Sequence, residues 1–185
     1  MTLREYELKL SGKLHNLNFF YFPNLITLDL RNNSLYGSIP SHIGNLSNLN
    51  FLDLSHNNFS GNIPLEIGLL KSLYTISLRY NSISGSIPRE IGRLSTISHI
   101  YFMRNNLTGP IPIEILNLTK LHHLDLAGNN IFGSIPSEIG RLTSLSILLL
   151  NQNHLTGTIP ISIGDLQNLS QFVLVDNRLN GSIPK

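Results

Sequence analysis

Apolar residues recur along the chain in a pattern that repeats every 24 residues from Leu25 onward. With Leu25 as position 1, positions 1, 4, 6, 11, 15, 19 and 22 are Leu, Ile or Phe in every turn that contains them. Around positions 3 to 7, apolar and variable residues alternate, which is typical of a short strand with one buried face. The pattern therefore predicts a stack of equivalent turns, each with one strand and a shared apolar core.

Three further positions keep the same period: Asn at 9, Gly at 13 and Pro at 16. An Asn side chain can satisfy main-chain groups where the strand ends. Gly accepts a backbone conformation that a Cβ would obstruct, and the Ile-Pro pair disfavours helix. The outer side is therefore expected to be extended chain, 3₁₀ helix and loop. A second glycine column, at position 20, is interrupted only at Leu116.

One turn cannot bury its leucines alone, whereas stacked turns can. We therefore predict an α/β-type solenoid, a superhelix with a concave parallel β-sheet and a convex side of 3₁₀ helix and loop. Residues 25–185 are expected to form seven 24-residue repeats, the last one truncated. Residues 1–24 are interpreted as a degraded N-terminal repeat or partial cap.

Composition narrows the possible functions of this solenoid. The chain has 185 residues, of which 13% are charged, with a formal net charge of +2 and no charge runs. Neither nucleic acid nor a membrane surface is therefore an expected partner. The absence of cysteine excludes disulfides, a cysteine-ligated zinc site and a cysteine nucleophile. The sequence contains no signal peptide and no apolar run long enough for a transmembrane helix.

The repeat L-x-x-L-x-L-x-x-N-x-L-x-G-x-I-P-x-x-I-G-x-L, running from Leu25 to Lys185, resembles the plant-specific class of extracellular leucine-rich repeats. Such arrays form the ectodomains of receptor-like kinases and receptor-like proteins, and also the secreted inhibitors of fungal polygalacturonases. The resemblance implies a leucine-rich repeat superhelix at the plasma-membrane surface or outside the cell. It also implies that a peptide or protein ligand binds on the concave face, with a co-receptor ectodomain as a possible second partner.

Two departures from the family pattern affect this interpretation. Family ectodomains normally have a signal peptide and cysteine-paired caps, which this sequence lacks, and the seventh turn stops at Lys185 before positions 19 and 22. We therefore expect the chain to be a fragment of a longer receptor, with exposed apolar edges at its ends.

No enzymatic motif is present in the sequence: G-x-G-x-x-G, H-R-D, D-F-G and G-x-S-x-G are all absent. This segment is therefore expected to be non-catalytic and to need no cofactor, and any kinase domain of a longer protein would lie beyond Lys185. None of the histidines forms an H-x-x-x-H pair suited to a metal. His99 and His123 share position 3 of adjacent turns, where they are expected to be neighbouring surface histidines.

Positions 3, 5, 7 and 8 should face outward on the concave side, where they can vary without disturbing the core. The aspartates of the L-D-L motif, Asp29, Asp53 and Asp125, are expected to be solvated spacers. The unusual residues are more informative, because Arg and Tyr are favoured at interfaces. We call the following residues of the middle turns the central cluster and predict that they bind a ligand: Arg79, Tyr80, His99, Tyr101, Met103, Arg104 and His123.

A second candidate surface lies further along the chain. There, apolar side chains replace the Asp, Thr or Ser of earlier turns, which suggests a partner surface. Ordinary surface variation remains the alternative for the central cluster, and cover by neighbouring turns or loops for this surface. We call it the apolar cluster; its members are Ile147, Leu149, Val173 and Val175.

Asn-x-Ser/Thr sequons are compatible with a secreted glycoprotein. Asn32 also begins a sequon, but it is expected on the binding face and to remain unmodified. The glycosylation candidates are Asn45, Asn58, Asn106, Asn117, Asn168 and Asn180.

The leading hypothesis is a recognition segment of a plant cell-surface receptor that signals by bringing a co-receptor alongside. The alternative is a secreted, polygalacturonase-inhibitor-like defence protein. A free decoy or scaffold fragment without a ligand is a third possibility.

Overall fold

Parallel strands stacked in chain order form the main sheet of the protein. The computed structural model describes residues 2–4 and 10–184, so Met1, residues 5–9 and Lys185 of the two expected segments, 1–24 and 25–185, lie outside the described residues. Every strand of this sheet pairs in parallel with the strand one turn away. Its strands are β1 (Thr2–Arg4), β3 (Thr27–Asp29), β5 (Phe51–Asp53), β7 (Thr75–Ser77), β9 (His99–Tyr101), β11 (His123–Asp125), β13 (Ile147–Leu149) and β15 (Gln171–Val173).

Beyond the Asn of repeat position 9, which we call the Asn column, the chain forms two smaller parallel sheets. One contains β2 (Ser11–Lys13), β4 (Ser34–Gly37), β6 (Asn58–Asn62), β8 (Ser82–Ser86) and β10 (Asn106–Thr108); the other pairs β12 (Phe132–Gly133) with β14 (His154–Leu155). The first sheet ends at β10, although the Phe132 N–H of the next turn still donates to Gly109 O at 3.1 Å.

The convex side consists of short 3₁₀ helices, most of which begin directly after the repeat proline. Pro fixes φ and leaves no free N–H at the helix start, which suits this place. The helices are η1 (Leu14–Asn16), η2 (Phe19–Tyr21), η3 (Ser41–Asn45), η4 (Leu65–Leu69), η5 (Arg89–Arg93), η6 (Ile113–Asn117), η7 (Ile139–Arg141) and η8 (Ile161–Asp165). These elements confirm the predicted solenoid with parallel sheets and a convex side of 3₁₀ helix and loop.

The apolar repeat positions form one continuous core between the sheets and the helices. From Leu25 to Leu155 all of these side chains are buried. In the last turn they are less covered, and Ile183 is 82% exposed. Each inner turn is packed between two others, whereas residues 169–184 pack against a turn on one side only within the described structure.

The Asn column ties neighbouring turns together through the main chain. Asn105 is representative: its Oδ1 accepts from the Ile83 N–H of the preceding turn at 3.0 Å. Its Nδ2 donates to Leu78 O at 2.9 Å and to Phe102 O at 3.1 Å. One buried amide thus satisfies main-chain groups of two turns, since each unpaired buried group would be costly.

Leu116 interrupts the second glycine column, and the fold changes next to it. A Cβ built on Gly68, in the same column, would lie 2.5 Å from the Glu90 carbonyl oxygen of the next turn. Leu116 is fully buried, and the following helix, η7, begins only at Ile139, two residues later in the repeat than the other repeat helices. The leucine side chain therefore fits because the next turn gives up its first helical residues.

Candidate functional site

Three neighbouring strands place the central residues of the site. Strands β7, β9 and β11 pair in register, so that His123 lies beside His99, and Tyr101 lies between Ser77 and Asp125. Because side chains alternate between the two faces of a strand, positions 3 and 5 both point to the concave side. Because of the 24-residue period, residues distant in sequence therefore lie side by side on one contiguous surface.

Aromatic and imidazole rings of the central cluster contact one another across these strands. The ring centroids of His99 and His123 are 6.4 Å apart, and those of Tyr101 and His123 are 4.6 Å apart in an edge arrangement. Tyr74 lies 5.4 Å from His99 on the other side. The Arg79 guanidinium carbon is 6.0 Å from the centroid of the Tyr101 ring, at the outer limit of a cation–π contact.

Burial shifts the proton affinities of this cluster toward the uncharged forms. Desolvation lowers the pKa of His99, and the neighbouring His122 lowers it further. Desolvation, followed by the charge of His99, lowers the pKa of His123. Burial raises the pKa of Tyr101, against the opposing effect of Arg79. At neutral pH His99 and His123 are therefore neutral imidazoles and Tyr101 is a neutral phenol, beside the Arg79 guanidinium.

A depression of about 310 Å³ opens on the concave face between turns two and four. Its wall contains both aromatic and polar side chains, which is the usual mixture for a recognition site. Arg79, His99 and Tyr101 of the central cluster contribute to it, but most of the lining was not predicted. The depression is lined by Phe51, Asp53, Thr75, Ser77, Arg79, His99 and Tyr101, and we call it the central depression.

Sequence reasoning missed Ser77 and Asp53 because both are ordinary residues at position 5. Superposing the turns every 24 residues could have found them, since Ser77 falls between Asp53 and Tyr101 in neighbouring strands.

The expectation that the aspartates of the L-D-L motif are solvated spacers is wrong. Asp29, Asp53 and Asp125 are at most 4% exposed. Each accepts the N–H two residues ahead, as Asp53 does from Ser55 at 2.9 Å. Neighbouring position-5 side chains lie close enough across the parallel strands to cover them.

The three carboxylates differ in their ionic partners. Arg31 approaches Asp29 at 3.3 Å and Asp53 at 3.8 Å. Among the described residues, no cationic side chain lies within ion-pair distance of Asp125. Burial raises the pKa of Asp125, although the bond from Ala127 and the more distant Arg79 oppose the shift.

Several buried polar atoms near the site have no hydrogen-bond partner among the described residues. They are Ser55 Oγ, Ser77 Oγ, Arg79 Nε, His99 Nδ1 and His123 Nε2. Three of the residues that carry them, Ser77, Arg79 and His99, line the central depression. Native proteins leave few such groups unpaired, so this concentration needs an explanation.

The other members of the central cluster lie beside the depression. Tyr80 stacks on His56 with ring centroids 4.4 Å apart, and the Arg104 side chain lies against Gly128. Met103 is half-buried and lies two residues after the end of β9. Both Tyr80 and Arg104 have positive φ, as do the other position-8 residues of the seven turns, so their side chains form the rim where the strands end.

The apolar cluster is only partly accessible. Leu149 pairs in register with Val173 on the neighbouring strand. Ile147, Leu149 and Val173 are half-buried, whereas Val175 is 64% exposed. The cluster therefore stays a candidate surface centred on Val175.

All sequon asparagines are exposed, including the six glycosylation candidates and Asn32. Among the described residues, no helix is long and apolar enough to cross a membrane. Within the same residues, no three His, Cys, Asp or Glu side chains are arranged to hold a metal ion.

The sequence model of the Leucine Rich Repeat family matches residues 24–46, 48–70, 72–94, 120–142 and 144–166. These spans together cover more than half of the chain. The chain belongs to the leucine-rich repeat family. Between the third and fourth matched spans lies the leucine-rich repeat turn that carries His99, Tyr101, Met103, Arg104 and Leu116. The turn at the centre of the candidate site is thus not among the spans that the family model matches.

Solved structures narrow the class of this leucine-rich repeat chain to plant receptor kinase ectodomains. The Arabidopsis receptor kinase HAESA, in complex with the peptide hormone IDA and the co-receptor SERK1, shares 39% identity over 94% of this chain with a TM-score of 0.91. The plant peptide hormone receptor RGFR1, in complex with RGF2, shares 39% identity over 94% with a TM-score of 0.88. The chain spans 29% and 28% of those two proteins.

Another similar structure is shorter, so this chain spans a larger part of it. The BIR3–SERK2 complex from Arabidopsis thaliana matches with 36% identity over 70% of this chain and 69% of that chain, with a TM-score of 0.64. None of the curated proteins matches this leucine-rich repeat chain. These structural relatives are plant receptors, and this chain is similar to a part of them.

Proposed function

We propose that the chain is a peptide-recognition segment of a plant cell-surface receptor, either a receptor-like kinase or a receptor-like protein. The segment lies outside the cell and performs no chemistry itself. The observation that carries this proposal is the central depression. It brings an Arg, aromatic rings and unpaired polar atoms to one place on the concave face.

The similar structures support a peptide as the ligand. The HAESA structure contains the peptide hormone IDA and the RGFR1 structure contains RGF2. A peptide laid along the concave face would cross several strands and meet side chains at positions 3, 5, 7 and 8. The presence of the co-receptor SERK1 with HAESA supports a second ectodomain as partner after the peptide has bound. These receptor relatives do not favour the polygalacturonase-inhibitor alternative.

The experiment that tests the proposal selects peptides on the 185-residue chain from a random 14-residue display library. Affinities of the selected peptides are then measured for the wild type, for Tyr101→Ala with Arg104→Ala, and for Leu65→Ala. Leu65 is 58% exposed on the convex helix η4 and serves as the matched control. We expect at least a tenfold loss of affinity in the concave variant and none in the control. Equal affinities for all three proteins would refute the proposal.

A further inference from the structure

Unpaired hydrogen-bonding groups converge on one wall of the central depression. Ser77 is 4% exposed, so its hydroxyl is fixed within the wall and lacks a partner. Arg79 Nε and His99 Nδ1 are also unpaired, and both side chains are only half-buried. Rotation of these two side chains can turn their nitrogens toward a ligand without unfolding a turn.

These groups define which ligand atom they can bind. Arg79 Nε can only donate, whereas the Ser77 hydroxyl and a neutral imidazole nitrogen can donate or accept. The ligand must therefore bring at least one acceptor oxygen, and a group that brings a donor as well can satisfy all three atoms. The Phe51 ring, the Tyr101 ring and the Thr75 methyl group supply apolar surface to the lining, which also contains the Thr75 and Tyr101 hydroxyls.

Charge on the concave face argues against an anionic ligand group. Among the described side chains, Arg31 lies beside Asp29 and Asp53, and Arg79 acts on Asp125 from a greater distance. Asp53 itself lines the depression, so a carboxylate placed there would lie near a buried charge of the same sign. A cationic group would instead leave Arg79 Nε without an acceptor and bring two positive charges together.

An uncharged amide meets both requirements, because it carries a carbonyl acceptor and an N–H₂ donor without net charge. We propose that the central depression is a subsite for the side-chain carboxamide of an Asn or Gln in the peptide ligand. The carbonyl oxygen accepts from Arg79 Nε and the Ser77 hydroxyl, and the amide nitrogen donates to His99 Nδ1 of the neutral imidazole. This inference rests on the proposed peptide-binding function and adds the chemical class of one ligand side chain.

Ser55 provides a matched control within the same fold. Its hydroxyl is also buried and unpaired, with 0% exposure, but Ser55 does not line the depression. Ser→Ala at either position removes an unpaired buried hydroxyl, so both variants should unfold at an equal or higher urea midpoint than the wild type. Only Ser77→Ala should change ligand binding.

The binding test uses three blocked tripeptides that differ in one side chain: N-acetyl-Ala-Gln-Ala-N-methylamide, its Glu counterpart and its Met counterpart. Their dissociation constants for the full chain are measured by NMR at pH 7.5 through the histidine ring signals. We expect the Gln peptide to bind at least threefold more tightly than either of the others. Ser77→Ala should remove this preference, and Ser55→Ala should retain it.

Other outcomes would overturn the inference. Tighter binding of the Glu peptide would show an anion subsite. Equal binding of the three peptides, including no binding by any, would show that no carboxamide is read, since all three share the same main-chain amides. Retention of the Gln preference in Ser77→Ala would remove the depression as its source.

Failure of this inference is separable from failure of the proposed function. Display-selected peptides that lose affinity for Tyr101→Ala with Arg104→Ala establish recognition on the concave face whichever tripeptide binds best.

Discussion

Gly68 lies directly against the main chain of Glu90 in the next turn, and a Cβ at Gly68 would come within 2.5 Å of the Glu90 carbonyl oxygen. The contact sets how closely successive convex helices stack. The same column contains Gly164, around which a Cβ would meet nothing within 4 Å. Comparing substitutions at the two glycines therefore separates the effect of the contact with Glu90 from the effect of replacing a glycine.

Gly68→Ala should lower the free energy of unfolding by about 1–3 kcal/mol, because the methyl group overpacks against fixed backbone. Gly164→Ala should leave stability unchanged or raise it by about 0.4–1 kcal/mol, since Ala restricts the unfolded chain. Urea unfolding followed by circular dichroism measures both. Equal urea midpoints for the two variants would contradict this account of the glycine column.

Asn105→Ala should destabilise the chain by about 1–3 kcal/mol for each buried main-chain group that it leaves unpaired. The Ile83 N–H loses its amide partner, whereas the Leu78 and Phe102 carbonyls keep hydrogen bonds from Asn81 and Asn129. Asn48→Ala is the control, since its exposed Nδ2 donates only to Pro23 O. Urea midpoints that fall equally in the two variants would show that the Asn column does not tie the turns together.

Stability should fall as pH drops below about 6.5, the ordinary pKa of histidine. The pKa values of His99 and His123 are lower in the folded chain, so the unfolded chain takes up protons first. Their contribution is therefore complete above that pH and is lost through the window down to the folded-state pKa values. The melting temperature of the wild type between pH 7.5 and 5.5 measures this loss.

The double variant His99→Gln with His123→Gln should show a shallower decline over the same range. An unchanged slope of melting temperature against pH would mean that burial does not lower the pKa values of these two rings in the folded chain.

Glycan mapping by mass spectrometry, on protein secreted from plant cells, tests the exposed sequons. We expect occupancy among Asn45, Asn58, Asn106, Asn117, Asn168 and Asn180, which lie away from the main sheet. Asn32 lies at positive φ shortly after the concave strand β3 and should remain unmodified if ligands cross the first turn. Full occupancy at Asn32 would place a glycan on the binding face and contradict that path.

The sequence predicted the fold because its information is periodic: Leu, Asn, Gly and Pro each repeat a backbone requirement once per turn. Leu116 could be seen as an exception, but the shortened η7 could not, since its cause is a contact between two turns. The aspartates were misjudged for a similar reason. Their burial depends on neighbouring strands at position 5, whereas a single L-D-L triplet reads as an exposed acid.

The site was only partly predictable. Arg79, His99 and Tyr101 attracted attention because they are unusual residues for their repeat positions. Ser77 is not unusual for its position. It is nevertheless the most buried of the three residues that bring unpaired polar atoms to the central depression. A hydroxyl becomes informative only when its missing partner is known, and that requires the packed structure.

The proposed function places peptide recognition on the middle turns of the concave face. Photo-cross-linking locates the bound peptide: p-benzoylphenylalanine is placed at Met103 on the concave side or at Leu65 on the convex side, and display-selected peptides are irradiated on each protein. We expect strong cross-linking from Met103 and only background from Leu65. Cross-linking mainly from Leu65, or background from both positions, would contradict peptide recognition on this face.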